Sequence, residues 1–294
     1  MKRFAAFAFA LLSLCGPVPR AVVAESLGDE TTRFLALQNG MVGDIILSYA
    51  TLKNPIPLFF FAKEGSFAAD LSYAGVVAPF FRYRLSGTPF SVYRDFGAIY
   101  GSGAESVLAP NLSLIRSFGR FLSVGFNGSW LPSVTAFGAE RESWRAAALA
   151  AFNFRGADFR TAGVSALVGY AATGGAIRRS LQLSVADTGL AGGFSGRLET
   201  TWAANALEAG LFLRKTSFFV NAYMGTTAVL LWGDRSSTMR GDVNSSLSDT
   251  SPLWGLSVQG GLEIDFGHVK LDVEGSADLL RNSYSGDAGV KVEL

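Results

Sequence analysis

Two runs of strict alternation near the C-terminus constrain the fold more than any other feature of the chain. Leu256, Val258, Gly260, Leu262, Ile264 and Phe266 interleave with Ser257, Gln259, Gly261, Glu263 and Asp265. After Gly267-His268 the pattern resumes, with Val269, Leu271, Val273, Gly275, Ala277 and Leu279 against Lys270, Asp272, Glu274, Ser276 and Asp278. Successive side chains leave a strand on opposite sides, so a period of 2 means strands with one apolar and one polar face. A two-residue connection between such runs predicts a tight hairpin. The alternation recurs at 122–130, 144–154, 162–170 and 194–202. In the last of these Phe194, Gly196, Leu198, Thr200 and Trp202 form the apolar face, and Ser195, Arg197, Glu199 and Thr201 the polar one. None of the apolar faces carries a charge.

A soluble β-sandwich alternates too, but three features point elsewhere. The polar faces carry charges in mid-strand, as a wet lumen allows. The runs are about 10–13 residues long, close to the ~9–11 of a tilted membrane strand and well above the ~5–6 of soluble strands. The apolar faces end in aromatic residues, as interfacial girdles do. The predicted class is all-β, an antiparallel transmembrane β-barrel. Composition agrees. Hydrophobic residues make up 49% of the chain. Yet past the N-terminus there is no uncharged apolar run of the roughly 18 residues a membrane helix needs. Lys and Arg number 25 against 24 Asp and Glu, which lacks the basic excess of a nucleic-acid binder.

The N-terminus reads as a targeting segment. Met1-Lys2-Arg3 is basic, Phe4 to Leu14 is apolar, and Val22-Val23-Ala24 suits a signal peptidase, so cleavage is expected after Ala24. A lipoprotein cut before Cys15 is opposed by Leu14, where a small residue is needed. Residues 1–24 contain the single Cys. An exported chain without disulfides must close its fold by hydrogen bonding and packing. The expected location is the outer membrane of a diderm bacterium, with outer-membrane lipid and the barrel-assembly machinery as partners.

From residue 90 onward the alternation predicts twelve strands, near 90–100, 107–116, 120–130, 144–154, 159–170, 180–187, 194–203, 206–213, 218–231, 254–266, 268–279 and 287–294. The phase shift at Glu208 implies a turn at 203–206. Connections at 116–119, 155–158, 214–217 and 266–268 are short, whereas 131–143 and 232–253 are long and polar. Short connections at one end and long ones at the other are expected of periplasmic turns and outer loops. Trp130, Trp144, Trp202, Trp232 and Trp254 fall beside the outer end, and Phe118, Phe121, Phe154, Phe159, Phe218 and Phe266 beside the inner one. The final Ala288, Val290, Val292 and Leu294 resemble the C-terminal strand signal of bacterial outer-membrane proteins, with Leu294 in place of the usual Phe.

The stretch from Arg33 to Asp44, Arg-Phe-Leu-Ala-Leu-Gln-Asn-Gly-Met-Val-Gly-Asp, followed by Asn54-Pro55-Ile56, resembles the N-terminus of the long-chain fatty-acid transporter family of outer-membrane barrels. The resemblance covers about 30 residues. Gln38-Asn39-Gly40 stands where the family has a Gly-Gly step, Asp44 alone replaces an acidic pair, and Ile56 replaces Ala. It implies a 14-stranded barrel, an N-terminal hatch inside the lumen and passage of hydrophobic, fatty-acid-like molecules. Residues 25–65 would be the hatch and 66–294 the barrel, with 67–77 and 79–85 as its first two strands. A purely periodic parse instead makes 42–52 and 70–84 strands and has no hatch. Both total 14, within a range of 12–14. Pro55 and Pro57 favour the hatch, because Pro cannot sit in a central ladder. Asn54, Pro55, Phe59, Phe60 and Phe61 are its candidate ligand contacts; the phenylalanine run could equally dip into the membrane or pack on the wall.

Catalytic, cofactor and metal motifs are missing from the reading. His268 is the single His and lies at a predicted turn, so with no mature Cys there is no Ser-His or Cys-His pair, and no enzyme is expected. Asp242 and Asp249 in the long loop could meet a cation, but such a loop is more simply solvated. Gly101, Gly103, Gly174 and Gly175 read as turn glycines. What remains is charge on the predicted lumen face: Arg145, Arg155, Arg160, Arg197, Glu199, Glu263, Asp265, Lys270, Asp272 and Glu274, joined by Asp278, Lys291 and Glu293. These form either a cross-strand salt-bridge ladder that stiffens the wall or a transverse field acting on a small-molecule solute. Three functions follow: a transporter of hydrophobic molecules, a diffusion porin for small polar solutes, or a filled surface barrel whose 232–253 loop binds outside partners.

Overall fold

The computed structural model describes residues 27–50, 64–79, 104–136, 138–155, 162–183, 194–242, 244–281 and 283–294. The alternating runs become eleven strands: β1 (Phe67–Pro79), β2 (Ala104–Phe118), β3 (Leu122–Ala136), β4 (Ala139–Arg155), β5 (Gly163–Leu183), β6 (Phe194–Ser217), β7 (Val220–Gly241), β8 (Ser245–Asp249), β9 (Leu253–Asp265), β10 (Val269–Asp278) and β11 (Tyr284–Glu293). Among the described residues one helix, α1 (Leu27–Ala50), precedes them. Ten strands close a ring in which each pairs antiparallel with the next, β8 standing apart. The ring shuts where the first strand meets the last. Phe67 N–H donates to the Leu294 carbonyl at 3.2 Å, and Leu294 N–H donates to that of Phe67 at 2.8 Å. No edge is left to satisfy in lipid.

The ring has ten strands, not fourteen. The runs 159–170 and 180–187 are one strand, β5, and 194–203 and 206–213 are one strand, β6. The expected strands at 79–85 and 90–100 lie almost wholly outside the described residues. β1 pairs directly with β2 from Phe67↔Arg116 to Pro79↔Ala104, so no ring strand intervenes. Residues 131–143, expected as a long loop, are the paired ends of β3 and β4. The expected loop 232–253 is mostly the upper half of β7 and β8, which pair from Arg235↔Asp249 to Met239↔Ser245. Residues 42–50, a strand in the purely periodic parse, are helical.

The outer surface has the polarity of a membrane span. Trp130, Trp144 and Trp254 are exposed at one rim, and Phe118, Phe121, Phe154, Phe218 and Phe266 at the other. On β4 the outward Trp144 and Phe154 are ten residues apart, which at about 3.3 Å rise and ~40° tilt spans about 25 Å, the height of an outer-membrane apolar band. Between the rims the outward residues are apolar, Leu211, Leu213, Val258 and Leu262 among them. Inside, Ser, Asn and charged side chains are buried against one another.

Several strands continue past the Trp rim. β10 and β11 have 10 residues each, enough for one crossing, while β5, β6 and β7 have 21, 24 and 22. Their upper halves, with the ends of β3 and β4 and with β8, build a turret above the membrane band. There the facing rule inverts, because water lies outside and a core inside. Leu198, Thr200 and Trp202 point inward and are buried, while Arg197, Glu199 and Thr201 point outward. Arg197 and Glu199 are therefore outer-surface residues, not lumen residues, and Trp202, buried to 5% exposure, is not part of the rim. β6 holds one facing throughout, so the Glu208 phase shift needs no turn. Glu208 points inward, and the polarity around the strand changes instead.

Gly174 and Gly175 lie in mid-strand on β5 rather than in a turn. Each clears room for a tryptophan: Trp144 lies over Gly174 outside the wall and Trp202 over Gly175 inside it. Gly101 and Gly103 fall outside the described residues.

Candidate functional site

The interior divides into an upper region filled by α1 and a lower region lined with charge. The 24-residue α1 sits among the turret strands and reaches down to the Trp rim. Phe34, Leu35, Met41, Val42, Ile45, Ile46 and Tyr49 on the helix are fully buried. They share one apolar cluster with Ile177 and Leu181 of β5, Leu198 and Trp202 of β6, and Leu231 and Met239 of β7. Gly255 of β9 lets the helix approach: a Cβ there would collide with Leu47 and Asp278.

Polar contacts fix the helix along its length. Ser237 Oγ donates to Asn39 Oδ1 at 2.5 Å, and Asn39 Nδ2 donates to the Leu247 carbonyl at 3.1 Å. Gln38 Nε2 donates to Thr200 Oγ1 at 3.3 Å. Near its C-terminus Tyr49 Oη and Ser129 Oγ are 2.6 Å apart, Ser48 and Ser283 share a hydrogen bond of 2.7 Å, and Arg145 Nε donates to the Ala50 carbonyl at 3.0 Å. That last bond satisfies one of the carbonyls a helix end leaves open.

Beside α1 a buried ion triad crosses the wall. Glu105 of β2 accepts from Arg141 of β4 at 2.5 Å and from Arg179 of β5 at 2.8 Å. Another pair anchors β8, where Asp249 meets the buried Arg235 at 2.7 Å. Burial pulls the Asp249 carboxyl upward, but hydrogen bonds from Arg235 and Ser251 outweigh it and hold the group below the ordinary range. On the turret's outer face Arg178 bridges Glu142 and Glu199, both at 2.7 Å, and Glu140 at 3.4 Å. The Ser133 hydroxyl, which donates to Glu140, is the main cause holding that carboxyl below the ordinary range.

Below the rim the inward residues of β9, β10, β11 and β1 form rows around the wall. One row runs Asp265, Lys270, Lys291, Asp70; the next Glu263, Asp272, Gly289, Ser72; the third Gly261, Glu274, Asp287, Ala74. The lysines face each other but are compensated. Lys291 Nζ donates to Glu263 Oε2 at 2.8 Å, and Lys270 Nζ lies 2.9 Å from Glu293 and 3.4 Å from Asp265. The third row holds two acids directly opposite, Glu274↔Asp287, an arrangement that is unfavourable without a counter-charge. One oxygen each of Asp272, Glu274 and Asp287 lies within 4.8 Å of the others. Among the described residues neither carboxylate oxygen of Asp70 or of Asp272 has a hydrogen-bond partner.

Of the residues singled out from sequence, Arg145, Glu263, Asp265, Lys270, Asp272 and Glu274 line the interior, as do Asp278, Lys291 and Glu293. Arg155 ends β4 with its side chain outside the described residues, and Arg160, Asn54, Pro55, Phe59, Phe60 and Phe61 also lie outside them. His268 is exposed at the β9–β10 turn, with Nδ1 3.0 Å from the Glu293 carbonyl. Asp242 is bound locally, accepting from Ser195 N–H at 2.7 Å. Sequence reading missed Asp70, Glu105, Arg141, Arg179 and Asp287. Asp287 had a usable signal, an acid set opposite an Asp-x-Glu on the next strand.

No protein-family model matches the chain, and no curated protein matches it in sequence. Solved structures do resemble it in shape. The outer membrane protease OmpT from Escherichia coli superposes with a TM-score of 0.47 at 11% identity, over 78% of this chain and 97% of OmpT. The outer membrane protein OprG from Pseudomonas aeruginosa gives 0.34 at 12% identity, over 79% and 97%. The translocator domain of the autotransporter NalP from Neisseria meningitidis gives 0.35 at 11% identity, over 92% and 99%.

Proposed function

We propose that this chain is an outer-membrane surface barrel that holds a rigid turret above the bilayer and presents it to partners outside, rather than a conduit for solute. In this reading residues 1–24 direct export and are removed after Ala24, the helix at 27–50 fills the barrel from within, and membrane lipid and the barrel-assembly machinery are the constitutive partners.

One observation carries the reading: the apolar seat of α1. Seven large side chains of the helix have no exposure to solvent. Burying a side chain of this kind stabilises by roughly 1.5–3 kcal/mol, so clearing the helix from the turret would cost on the order of 10 kcal/mol or more. That is a wall, not a gate that opens with ordinary fluctuations. The apolar surface a fatty-acid-like molecule would need is the surface α1 already covers, and no feature of the described lumen supports such a solute. The outward face of the turret is polar and charged, which suits contact with soluble or surface-bound partners.

The test is conductance together with topology. Full-length protein inserted into planar bilayers should pass no stepwise current, and a cysteine replacing Ser246 should react with an impermeant maleimide on intact cells, whereas one replacing Thr216 should not. Steady conductance steps from the intact barrel would overturn the reading and restore the diffusion porin.

A further inference from the structure

The third row of the lower lumen has a chemistry that the surface-barrel reading does not use. Glu274 of β10 and Asp287 of β11 are directly opposite, and Asp272 is two residues from Glu274 on the same face. The three offer oxygens within 4.8 Å of one another. Like charges so placed repel, and repulsion is strongest in an interior shielded from water. Lys291 offsets only part of it, being itself bonded to Glu263, and Lys270 is bonded to Glu293.

A fourth carboxylate points to the same spot. Asp70 of β1 is 1% exposed, and neither of its oxygens has a hydrogen-bond partner among the described residues. It and Asp272 flank Gly289: a Cβ there would stand 2.9 Å from Asp70 Oδ1 and 3.1 Å from Asp272 Oδ1. A buried carboxylate with nothing to accept from is costly, and natural proteins resolve it by pairing the charge or coordinating a metal.

We infer that Asp272, Glu274 and Asp287 are the protein ligands of a divalent-cation site in the barrel lumen, with Asp70 as the adjoining anion, and that the site takes Ca²⁺. The donors are all oxygen, which selects a hard cation. Ca²⁺ accepts several carboxylates in a flexible geometry, whereas Mg²⁺ keeps several waters and is usually held by one or two. Three carboxylates with oxygens gathered within 4.8 Å of one another, and Asp70 beside them, make the carboxylate-rich kind of site that Ca²⁺ takes. The ion would join β10 to β11 and hold Asp70 of β1 by charge, beside the β1–β11 seam where the ring closes.

The experiment uses full-length protein folded in detergent micelles, with folding checked by heat-modifiable gel mobility. Calorimetric titration with Ca²⁺ should give one saturable site, and Tb³⁺, a luminescent Ca²⁺ substitute, should compete with it. The double variant Asp272→Asn, Asp287→Asn should weaken binding at least tenfold, while Glu140→Gln, Glu142→Gln on the turret exterior should leave it unchanged. If the lumen variant does not fold, Mn²⁺ added to wild-type protein decides. Amide resonances of 271–275 and 286–288 should broaden at substoichiometric metal while those of 139–143 stay sharp. Absence of saturable binding at about 10 mM Ca²⁺, above the weakest class of natural sites, overturns the proposal. Equal affinity in the folded lumen variant, or broadening confined to the turret acids, overturns it as well.

Discussion

Glu105→Gln should be among the most damaging single changes available in the turret. The Glu105 carboxylate is fully buried and accepts from two guanidiniums, Arg141 and Arg179, that are themselves buried. It acts across β3, tying β2 to β4 and β5, strands that do not pair with β2. Gln keeps the volume and one acceptor but removes the charge, leaving two buried cations short of their anion. Removing one partner of a buried ion pair destabilises by about 3–5 kcal/mol. Replacing all three members, Glu105→Leu, Arg141→Met and Arg179→Met, should recover most of that loss, because no uncompensated charge remains. The assay is urea unfolding of the folded protein in detergent, followed by the emission of Trp202, whose indole lies in the same core. If Glu105→Gln stays within about 1 kcal/mol of wild type, the triad is not the tie described, and the damage scale for buried pairs does not apply here.

Two further outcomes test the boundary between membrane and turret and the anchoring of β8. On the outward face of β6, Leu211→Arg should impair assembly by about 2–4 kcal/mol because the residue lies in the apolar band, while Thr201→Arg on the same strand and face should fall within the ±0.5 kcal/mol of an ordinary surface change; outer-membrane folding titrations would measure both. The Asp249 carboxyl is held below its ordinary range, so its pairing with Arg235 stabilises fully above that range and is lost as pH falls through the lowered value. The thermal midpoint of the turret, read from Trp202, should therefore drop as pH falls from about 5 to 3, and the drop should shrink in Asp249→Asn.

The membrane-spanning part of the fold is legible in the sequence because the solvent rule is uniform there. At Val258/Gln259 or Leu271/Asp272, apolar means lipid and polar means lumen, and the strands face as their alternation says. Above the rim the same alternation carries the opposite meaning. Leu198 and Trp202 look like lipid-facing residues and are core; Arg197 and Glu199 look like lumen residues and are wet surface. One strand, β6, passes through both regimes, which is why a phase shift at Glu208 reads as a turn and inflates the strand count. The helix is hidden for a related reason: α1 carries Gly40 and Gly43 and a broad buried surface, so it lacks the narrow apolar stripe of a surface helix. The lumen acids on β9 and β10 are visible as alternating charges, but the Glu105 triad joins residues 36 and 74 positions apart, and no local pattern announces it.

The seat of α1 has a consequence for the order of events during assembly. The helix comes first in the chain, yet its partners come late: Gln38 bonds a residue 162 positions onward and Ser48 one 235 positions onward. An isolated helix of this length is marginal in water, more so with two interior glycines. Contacts of such high sequence separation close slowly, because the intervening chain must be ordered first. The segment that is made first is thus fixed last, and the growing sheet must curl around a tether that has not yet found its shape. The seam between Phe67 and Leu294 closes the wall, and only then is there an interior for the helix to complete.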